Sequence, residues 1–162
     1  MKRKYTCVDL FCGAGGLSKG FLDAGYDVIL GVDFDESALK TFKENHGSTT
    51  ALKLDLYDHS NIDQIVSFLD EKGVTELDVL VGGPPCQGFS VAGKMNPDDE
   101  RSKLIFTFLD VVEKVQPKAF VMENVKALGV LEKWEPVRKK YLDRAREMGY
   151  LCMPFILNAT EY

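Results

Sequence analysis

The sequence has no long hydrophobic run, and this excludes a transmembrane segment from its predicted organisation. Its longest apolar stretches, among them VDLF, LDVLVGG and KAFVM, are far too short to cross a bilayer. The basic start MKRKYT passes straight into a strand-like segment, without the apolar stretch and the cleavage site of a secretory signal. We therefore expect a cytoplasmic protein.

Cysteine, histidine and clustered basic residues are also scarce. The four cysteines form no C-x-x-C pair and neither of the two histidines lies near a cysteine in sequence, so we expect no zinc or other metal site. Each cysteine is predicted to be a lone thiol. The net charge is −5 and the basic residues are scattered, so the chain by itself lacks the electrostatic footprint of a nucleic-acid-binding protein.

What remains is the composition of one domain of 162 residues, 45% hydrophobic and 28% charged. Short apolar runs predict strands at 5–11, 27–33, 77–81, 118–123 and 150–158, with a further strand near 51–55. Apolar residues at helical spacing separate them. This alternation predicts a doubly wound, mostly parallel α/β sheet with helices on both faces. Ligands of such sheets bind beyond the carboxyl ends of the strands, so the loops at those ends are the candidate binding segments.

The loop after the first predicted strand is rich in glycine. The segment FCGAGGLSKGF carries Gly13, Gly15 and Gly16 into a helix, so a ligand can lie against bare backbone at the helix N-terminus. The dinucleotide-binding fingerprint requires a third glycine where this sequence has Ser18. The match to a nicotinamide-binding site is therefore imperfect.

Acidic residues end the next two predicted strands. Asp33 is placed to accept hydrogen bonds from ribose hydroxyls, and Phe34 to stack on an adenine. Asp55 is placed to accept from an exocyclic amino group, with Leu56 on the other side. Alternatively, both aspartates are turn formers and Phe34 belongs to the core. That interpretation is favoured for any one of them, and it weakens because all of them fall on one rim.

The segment GGPPCQGFS at 82–90 presents Cys86 from a backbone stiffened by Pro84 and Pro85. Such a thiol is better placed to be a nucleophile than to pack in a core, although an inert loop thiol is the alternative. The following strand ends in MENV, which brings Glu123 and Asn124 to the same rim. A carboxylic acid near a thiol is a candidate general acid or base.

Five segments in this order resemble the cytosine-5 DNA methyltransferases, and the resemblance covers essentially the whole chain. They are DLFCGAGGLSKGF (9–21), VDFDESAL (32–39), GGPPCQGFS (82–90), RSKL (101–104) and ENV (123–125). The resemblance implies a Rossmann-like fold that binds S-adenosylmethionine. It also implies transfer of a methyl group from this cofactor to C5 of cytosine in DNA.

The resemblance assigns roles to individual residues. Cys86 would add to C6 of the cytosine, Glu123 would protonate N3, and Asn124 would help to position the cysteine loop or the base. The implied cofactor-binding residues are Phe11, Gly13, Ala14, Gly15, Gly16, Asp33, Phe34, Asp55, Leu56, Gly83, Pro85 and Leu104. Because the target base is swung out of the helix, the implied substrate-binding residues are Gln87, Ser90 and Arg101. A solvated loop is the alternative for these three.

Members of the family continue beyond LNATEY with a segment that holds a glutamine and two arginines, a target recognition region and a last helix. We therefore expect residues 1–162 to form the N-terminal part of the catalytic cofactor-binding domain, with a sheet left incomplete at its C-terminal edge and the target recognition domain absent. DNA would be contacted mainly through the absent part, a complementing C-terminal chain is a candidate partner, and the chain alone would be inactive.

Two other interpretations stay open. The chain is then either a non-catalytic S-adenosylmethionine-binding or assembly subunit of a methyltransferase complex, or a nicotinamide-dependent oxidoreductase built on the same kind of sheet. Relatives of the fold also act on RNA, and the segment GFS after PPCQ favours the DNA enzymes.

Overall fold

The computed structural model describes residues 3–85 and 103–161, in which strands and helices alternate along the chain. The elements are β1 (Thr6–Leu10), α1 (Gly16–Asp23), β2 (Asp27–Asp33), α2 (Glu36–His46), β3 (Thr50–Lys53), α3 (Ile62–Glu71), β4 (Val79–Gly82), α4 (Leu104–Val115), β5 (Ala119–Met122), α5 (Lys126–Val130) and α6 (Glu135–Glu147). Short 3-10 turns occupy His59–Asn61, Glu132–Trp134 and Ala159–Glu161.

The strands form a parallel sheet in the order β3-β2-β1-β4-β5. Alternate strand residues point to opposite faces because the side-chain period of a strand is two. Val8, Leu30 and Leu80 therefore join the main core, to which α3 and α4 contribute. Cys7 and Val81 face the other side, where apolar residues of α1 cover them. This doubly wound, Rossmann-like architecture confirms the predicted fold class.

Helix α2 matters for the site because its C-terminal end reaches the glycine loop. Its first turn is stabilised by Asp35, whose Oδ1 accepts from the backbone N–H of Ser37 at 2.7 Å and of Ala38 at 3.0 Å. The buried residues of the helix are Leu39, Phe42 and His46, at helical spacing. The helix ends at His46 and is followed by Gly47, which has a positive φ of 58°.

The prediction of a strand at 150–158 is wrong, because the structure has no regular strand there. A strand needs a neighbouring backbone to accept and donate its hydrogen bonds. Within the described residues β5 pairs with β4 and has no second neighbour. Five apolar side chains of the segment lie in solvent instead, with exposed fractions between 59% and 86% at Leu151, Met153, Phe155, Ile156 and Leu157. Tyr150 and Cys152 are half-buried against the main core.

At the amino ends of the strands, the buried carboxylate of Asp78 ties β1 and β4 to the segment before β5. Its Oδ2 accepts from the backbone N–H of Thr6 at 2.9 Å and from Arg3 at 3.1 Å, and its Oδ1 accepts from Lys118 Nζ at 2.8 Å. The Lys118 hydrogen bond is the largest of the effects that lower the pKa of Asp78 to about 2. Only 3% of the side chain is exposed.

We expect Asp78→Asn to lower the free energy of unfolding by about 2 kcal/mol at pH 7, because the charge that these donors share is removed. The pKa of Asp78 in the folded chain lies below its ordinary value of 3.8. The stabilisation by its charge is therefore present above pH 3.8 and is lost as the pH falls toward 2. Urea denaturation at pH 7 and near pH 3 measures both effects.

The control for this prediction is Glu76→Gln. Glu76 also pairs with Lys118, at 2.7 Å, but its side chain is 57% exposed, so we expect a change below about 0.5 kcal/mol. An equal loss of stability in the two variants, or a loss in Asp78→Asn that does not shrink at low pH, would contradict the proposed role of the buried charge.

Among the described residues, none of the helices combines the length and the hydrophobicity that crossing a bilayer requires.

Candidate active site

A cavity of about 380 Å³ opens at the carboxyl ends of β1, β4 and β5. Along the sequence, β2 and then β3 extend the sheet on one side of β1, while β4 and then β5 extend it on the other side. The gap between β1 and β4 is therefore the switch point at which such sheets bind their ligands. The described residues that line this switch-point cavity are Asp9, Phe11, Cys12, Leu17, Gly83 and Glu123.

The glycine loop that leads from β1 to α1 has the left-handed backbone that its composition predicts. Gly13 has a φ of 52° and Gly15 a φ of 90°, and Phe11 adopts 55° although it is not a glycine. The loop is closed by a hydrogen bond from the Gly15 N–H to the Cys12 carbonyl at 2.8 Å. Ala14 and Gly16 are exposed at its surface.

Asp33, at the end of β2, contacts this loop. Its Oδ2 accepts from the backbone N–H of Gly13 at 2.8 Å, and its Oδ1 accepts from the N–H of Asp35 at 2.9 Å. Asp33 therefore stabilises the turn at the end of β2, while each oxygen keeps a lone pair for a further donor. Phe34 is 64% exposed, so the alternative that placed it in the core is wrong.

The residues after β3 separate into an exposed and a buried side chain. Asp55 is exposed, and its Oδ1 accepts from the backbone N–H of Tyr57 at 2.9 Å, which also makes it a turn former. Leu56 is only 3% exposed and packs in the main core. Leu104, the first residue of α4, is also 3% exposed. Neither leucine is among the described residues that line the switch-point cavity.

The ends of β4 and β5 bring Glu123 and Asn124 to the cavity rim. A Cβ on Gly82 would lie 2.5 Å from the carbonyl oxygen of Leu10, so only glycine fits beside β1 at this point. A Cβ on Gly83 would lie 3.2 Å from Glu123 Oε2, which places that carboxyl group directly against the strand end. Pro85 is half-buried.

Asn124 connects the rim to the segment that precedes Cys86. Its Nδ2 donates to the carbonyl oxygen of Pro84 at 3.1 Å, while its Oδ1 accepts from the N–H of Val125 at 2.9 Å. The amide is thus held at both ends. Cys86, Gln87, Ser90 and Arg101 lie outside the described residues.

Asp9 lines the cavity, and the sequence reasoning missed it. It is fully buried, and among the described residues neither of its carboxylate oxygens has a hydrogen-bonding partner. Burial raises the pKa of Asp9 to about 7, and the charge of Asp33 adds to this, while nearby Ser18 lowers it. The detectable sign was an acid within the otherwise apolar strand VDLF.

The three described cysteines are poor candidates for a nucleophile. Burial raises the pKa of Cys7 to about 12, and it raises the pKa of Cys12 and of Cys152 as well. A thiol attacks as its thiolate, so these groups are inactive near neutral pH. Within residues 3–85 and 103–161 no cluster of histidine, cysteine or acidic residues has the arrangement of a metal site.

A glycine loop after β1, acids at the following strand ends and a cavity at the switch point are the features of a doubly wound α/β domain with a ligand-binding edge. Residues 5–162 match the family of C-5 cytosine-specific DNA methylases, and the chain belongs to this family.

Individual relatives agree with this assignment. The Type II methyltransferase M.AquIA of Picosynechococcus is 41% identical over an alignment of 163 positions that covers 96% of this chain and 65% of that protein. M.AgeI of Thalassovita gelatinovora is 38% identical over an alignment of 160 positions that covers 96% of this chain and 35% of that protein. This chain therefore spans between about a third and two thirds of the length of these curated relatives.

A solved structure supports the fold. A prophage-encoded protein of E. coli, described as a DNA modification methyltransferase, superimposes with a TM-score of 0.74 at 34% identity. The superposition covers 89% of this chain and 38% of that one.

Proposed function

We propose that the chain is the cofactor-binding catalytic part of an enzyme that transfers a methyl group from S-adenosylmethionine to C5 of cytosine in DNA. The observation that carries this proposal is the switch-point cavity. There the glycine loop, the Glu123 carboxyl group and the Pro84 segment that leads to Cys86 meet on one rim.

The residues of the cavity fit this cofactor. Asp9 is a buried carboxylate without a partner among the described residues, and S-adenosylmethionine brings two cationic groups, an ammonium and a sulfonium. Asp33 and the exposed ring of Phe34 lie on the adjacent β2 rim, where they would hold the ribose and the adenine. Asp55 would accept from the adenine amino group, and Gly83 would let the ligand approach β4. When bound, the cofactor supplies an electrophilic methyl group on its sulfonium.

Cys86 would act as the nucleophile of the reaction. Its thiolate would bond to C6 of the cytosine while Glu123 holds and delivers a proton at N3, so that electron density collects at C5. After C5 has gained the methyl group, its proton passes to water and the electrons of that C–H bond form the double bond between C5 and C6. The bond between C6 and sulfur then breaks and releases the thiolate, while Glu123 takes back the proton from N3. Asn124 would fix the approach of the Cys86 segment through its bond to Pro84.

DNA is the proposed substrate, since the names of the relatives describe DNA-modifying enzymes. With a net charge of −5, this chain would supply few of the phosphate contacts. Gln87, Ser90 and Arg101 are the proposed contributors on the Cys86 side. Most of the DNA contacts would come from the remaining length of the enzyme.

The surface around β5 supports such a complementing part. Val121 on β5 is 44% exposed, and beyond the end of α6 five apolar side chains lie in solvent, at Leu151, Met153, Phe155, Ile156 and Leu157. An exposed strand edge beside exposed apolar residues is an association surface. The longer relatives have additional length that would cover it, and without that part the chain would be inactive. The second candidate is therefore a cofactor-binding subunit that does no chemistry itself.

Calorimetric titration of this chain with S-adenosylhomocysteine, with NAD as the control, tests the cofactor assignment. We expect binding of S-adenosylhomocysteine and none of NAD, because the fingerprint glycine is replaced by Ser18. Binding of NAD in preference would support an oxidoreductase instead. If a chain that is folded by circular dichroism binds neither ligand, the proposal of an independent cofactor site on this chain fails.

A further inference from the structure

The C-terminal end of α2 contacts the glycine loop through two side chains. Asn45 Nδ2 donates to the carbonyl oxygen of Ala14 at 3.0 Å. His46 Nε2 lies 3.0 Å from Ser18 Oγ, in the first turn of α1. We call these two residues with their loop partners Ala14, Gly15 and Ser18 the α2 clasp.

The His46 ring packs directly against the loop. A Cβ on Gly15 would lie only 2.0 Å from His46 Cε1, so the ring fills the space that any side chain at this position would need. The ring is 6% exposed and stacks on Phe42, with centroids 4.1 Å apart and planes 1° from parallel. The position of the ring therefore determines how far the loop can move toward α2.

The direction of the His46 hydrogen bonds follows from their partners. Nδ1 lies 3.0 Å from the Phe42 carbonyl oxygen, which can only accept, so Nδ1 carries a proton. In the neutral ring Nε2 is then an acceptor for the Ser18 hydroxyl, whose oxygen also lies 3.3 Å from the Gly15 carbonyl oxygen. The clasp therefore orients the Ser18 side chain as well as the loop backbone.

Ser18 links the clasp to the cavity. It lies close enough to Asp9 to lower the pKa of that carboxyl group. Movement of the loop would therefore displace the backbone around Ala14 and a polar neighbour of Asp9 together. Helix α2 is attached to the sheet by a different contact, in which the Phe42 ring packs on Gly31 of β2. A Cβ on Gly31 would lie only 2.4 Å from that ring.

We propose that Asn45 and His46 are positioning residues for the amino-acid portion of the methyl donor. They hold the glycine loop so that its backbone and Asp9 face that portion of the ligand, although neither residue is among those that line the cavity. The inference rests on the proposed cofactor. The adenosyl portion would lie at Asp33 and Phe34. Asp33 is joined to the loop through the Gly13 N–H and not through the residues of the clasp, so the two portions should respond differently to loss of the clasp.

The first arm of the test needs no ligand. Hydrogen exchange by mass spectrometry compares the chain with Asn45→Asp, which replaces the donor by a carboxylate, and with His46→Phe, which keeps a ring on Phe42 and loses both hydrogen bonds. We expect about tenfold faster exchange in residues 13–19 and unchanged exchange in β1 and β4, since one hydrogen bond is worth about a factor of ten in local opening. The matched control is Glu44→Gln, an exposed residue on the same turn.

The second arm compares S-adenosylhomocysteine with methylthioadenosine, which keeps the adenosyl portion and lacks the amino acid. We expect both variants to bind S-adenosylhomocysteine about tenfold more weakly and methylthioadenosine with less than about a twofold change. His46→Gln, whose amide oxygen can accept from Ser18, should recover part of the loss. If His46→Phe does not fold, Asn45→Asp carries the test, because Asn45 is exposed.

The outcomes separate the clasp from the proposed function. Unchanged exchange in residues 13–19 overturns the clasp whatever the ligands do. Faster exchange with equal losses for both ligands, or no recovery in His46→Gln, overturns the positioning role and leaves the cofactor site in place. If the unaltered chain binds neither ligand, the proposed cofactor site fails and the inference fails with it.

Discussion

Replacing Cys86 by serine is expected to lower methyl transfer by the complemented enzyme about 10³-fold or more. A serine hydroxyl remains protonated near neutral pH and is a far weaker nucleophile than a thiolate, while the size of the side chain hardly changes. The Asn124 bond to the Pro84 carbonyl is unaffected by the substitution, so the loop approach is preserved. The loss would therefore measure the chemistry of the sulfur rather than a displaced segment.

A covalent trap checks the same prediction without turnover. On DNA that carries 5-fluorocytosine, the C5 fluorine blocks release of the thiol, so the complemented enzyme should form a stable protein–DNA adduct. We expect the adduct to be absent in Cys86→Ser and unchanged in Cys152→Ser, which alters a half-buried thiol whose pKa is raised by burial. An adduct in Cys86→Ser would refute the assignment of the nucleophile. If no adduct formed in any variant or in the unaltered enzyme, the non-catalytic subunit would be supported instead.

Replacing Asp9 by asparagine is expected to weaken binding of S-adenosylmethionine about 100-fold at pH 8. The substitution keeps the shape of a fully buried side chain and removes the negative charge that a cationic ligand would neutralise. Calorimetric titration with S-adenosylmethionine, S-adenosylhomocysteine and methylthioadenosine identifies the cation. A loss confined to the first ligand implicates the sulfonium, a loss shared by the first two implicates the ammonium, and an equal loss for all three contradicts a charge effect.

The same substitution should stabilise the chain without ligand. Burial raises the pKa of Asp9 to about 7 from its ordinary 3.8, so the folded chain prefers the neutral acid. A raised pKa means that stability is fully present below about pH 3.8 and is lost as the pH rises to about 7. Asparagine does not ionise, so Asp9→Asn should gain about 2 kcal/mol at pH 8, after allowing for its own desolvated amide.

Urea denaturation between pH 4 and pH 8 measures this gain. The difference between Asp9→Asn and the unaltered chain should grow as the pH rises and become constant above about pH 7. A matched control is Asp23→Asn, since Asp23 is exposed on α1 and should change stability by less than about 0.5 kcal/mol. Higher stability of Asp9→Asn together with weaker ligand binding would identify Asp9 as a residue that lowers the stability of the chain and is retained for function.

Local patterns in the sequence predicted much of the fold and the rim of the site. Strands β1, β2, β4 and β5 lie within one or two residues of the predicted runs, because buried parallel strands are continuous apolar segments. The glycine loop and Glu123 were predicted to share one rim, and both contribute to the cavity. The prediction of a strand at 150–158 failed for a physical reason. The apolar residues of this segment are typical of a strand, but a strand also needs a hydrogen-bonding neighbour, and no local sequence pattern shows whether one is present.

By itself the sequence determined the order of elements, the family and the chemical groups that the site offers, since these depend on local periodicity and on short motifs. Only the tertiary structure decided which groups meet. Asp9 becomes a buried carboxylate, unpartnered within the described part of the chain, because α1 and β4 cover β1. Asn45 and His46 reach the glycine loop because α2 packs across β2. The contacts of Asn45 and His46 join residues 31 and 28 positions apart, so no pattern along the chain reveals them.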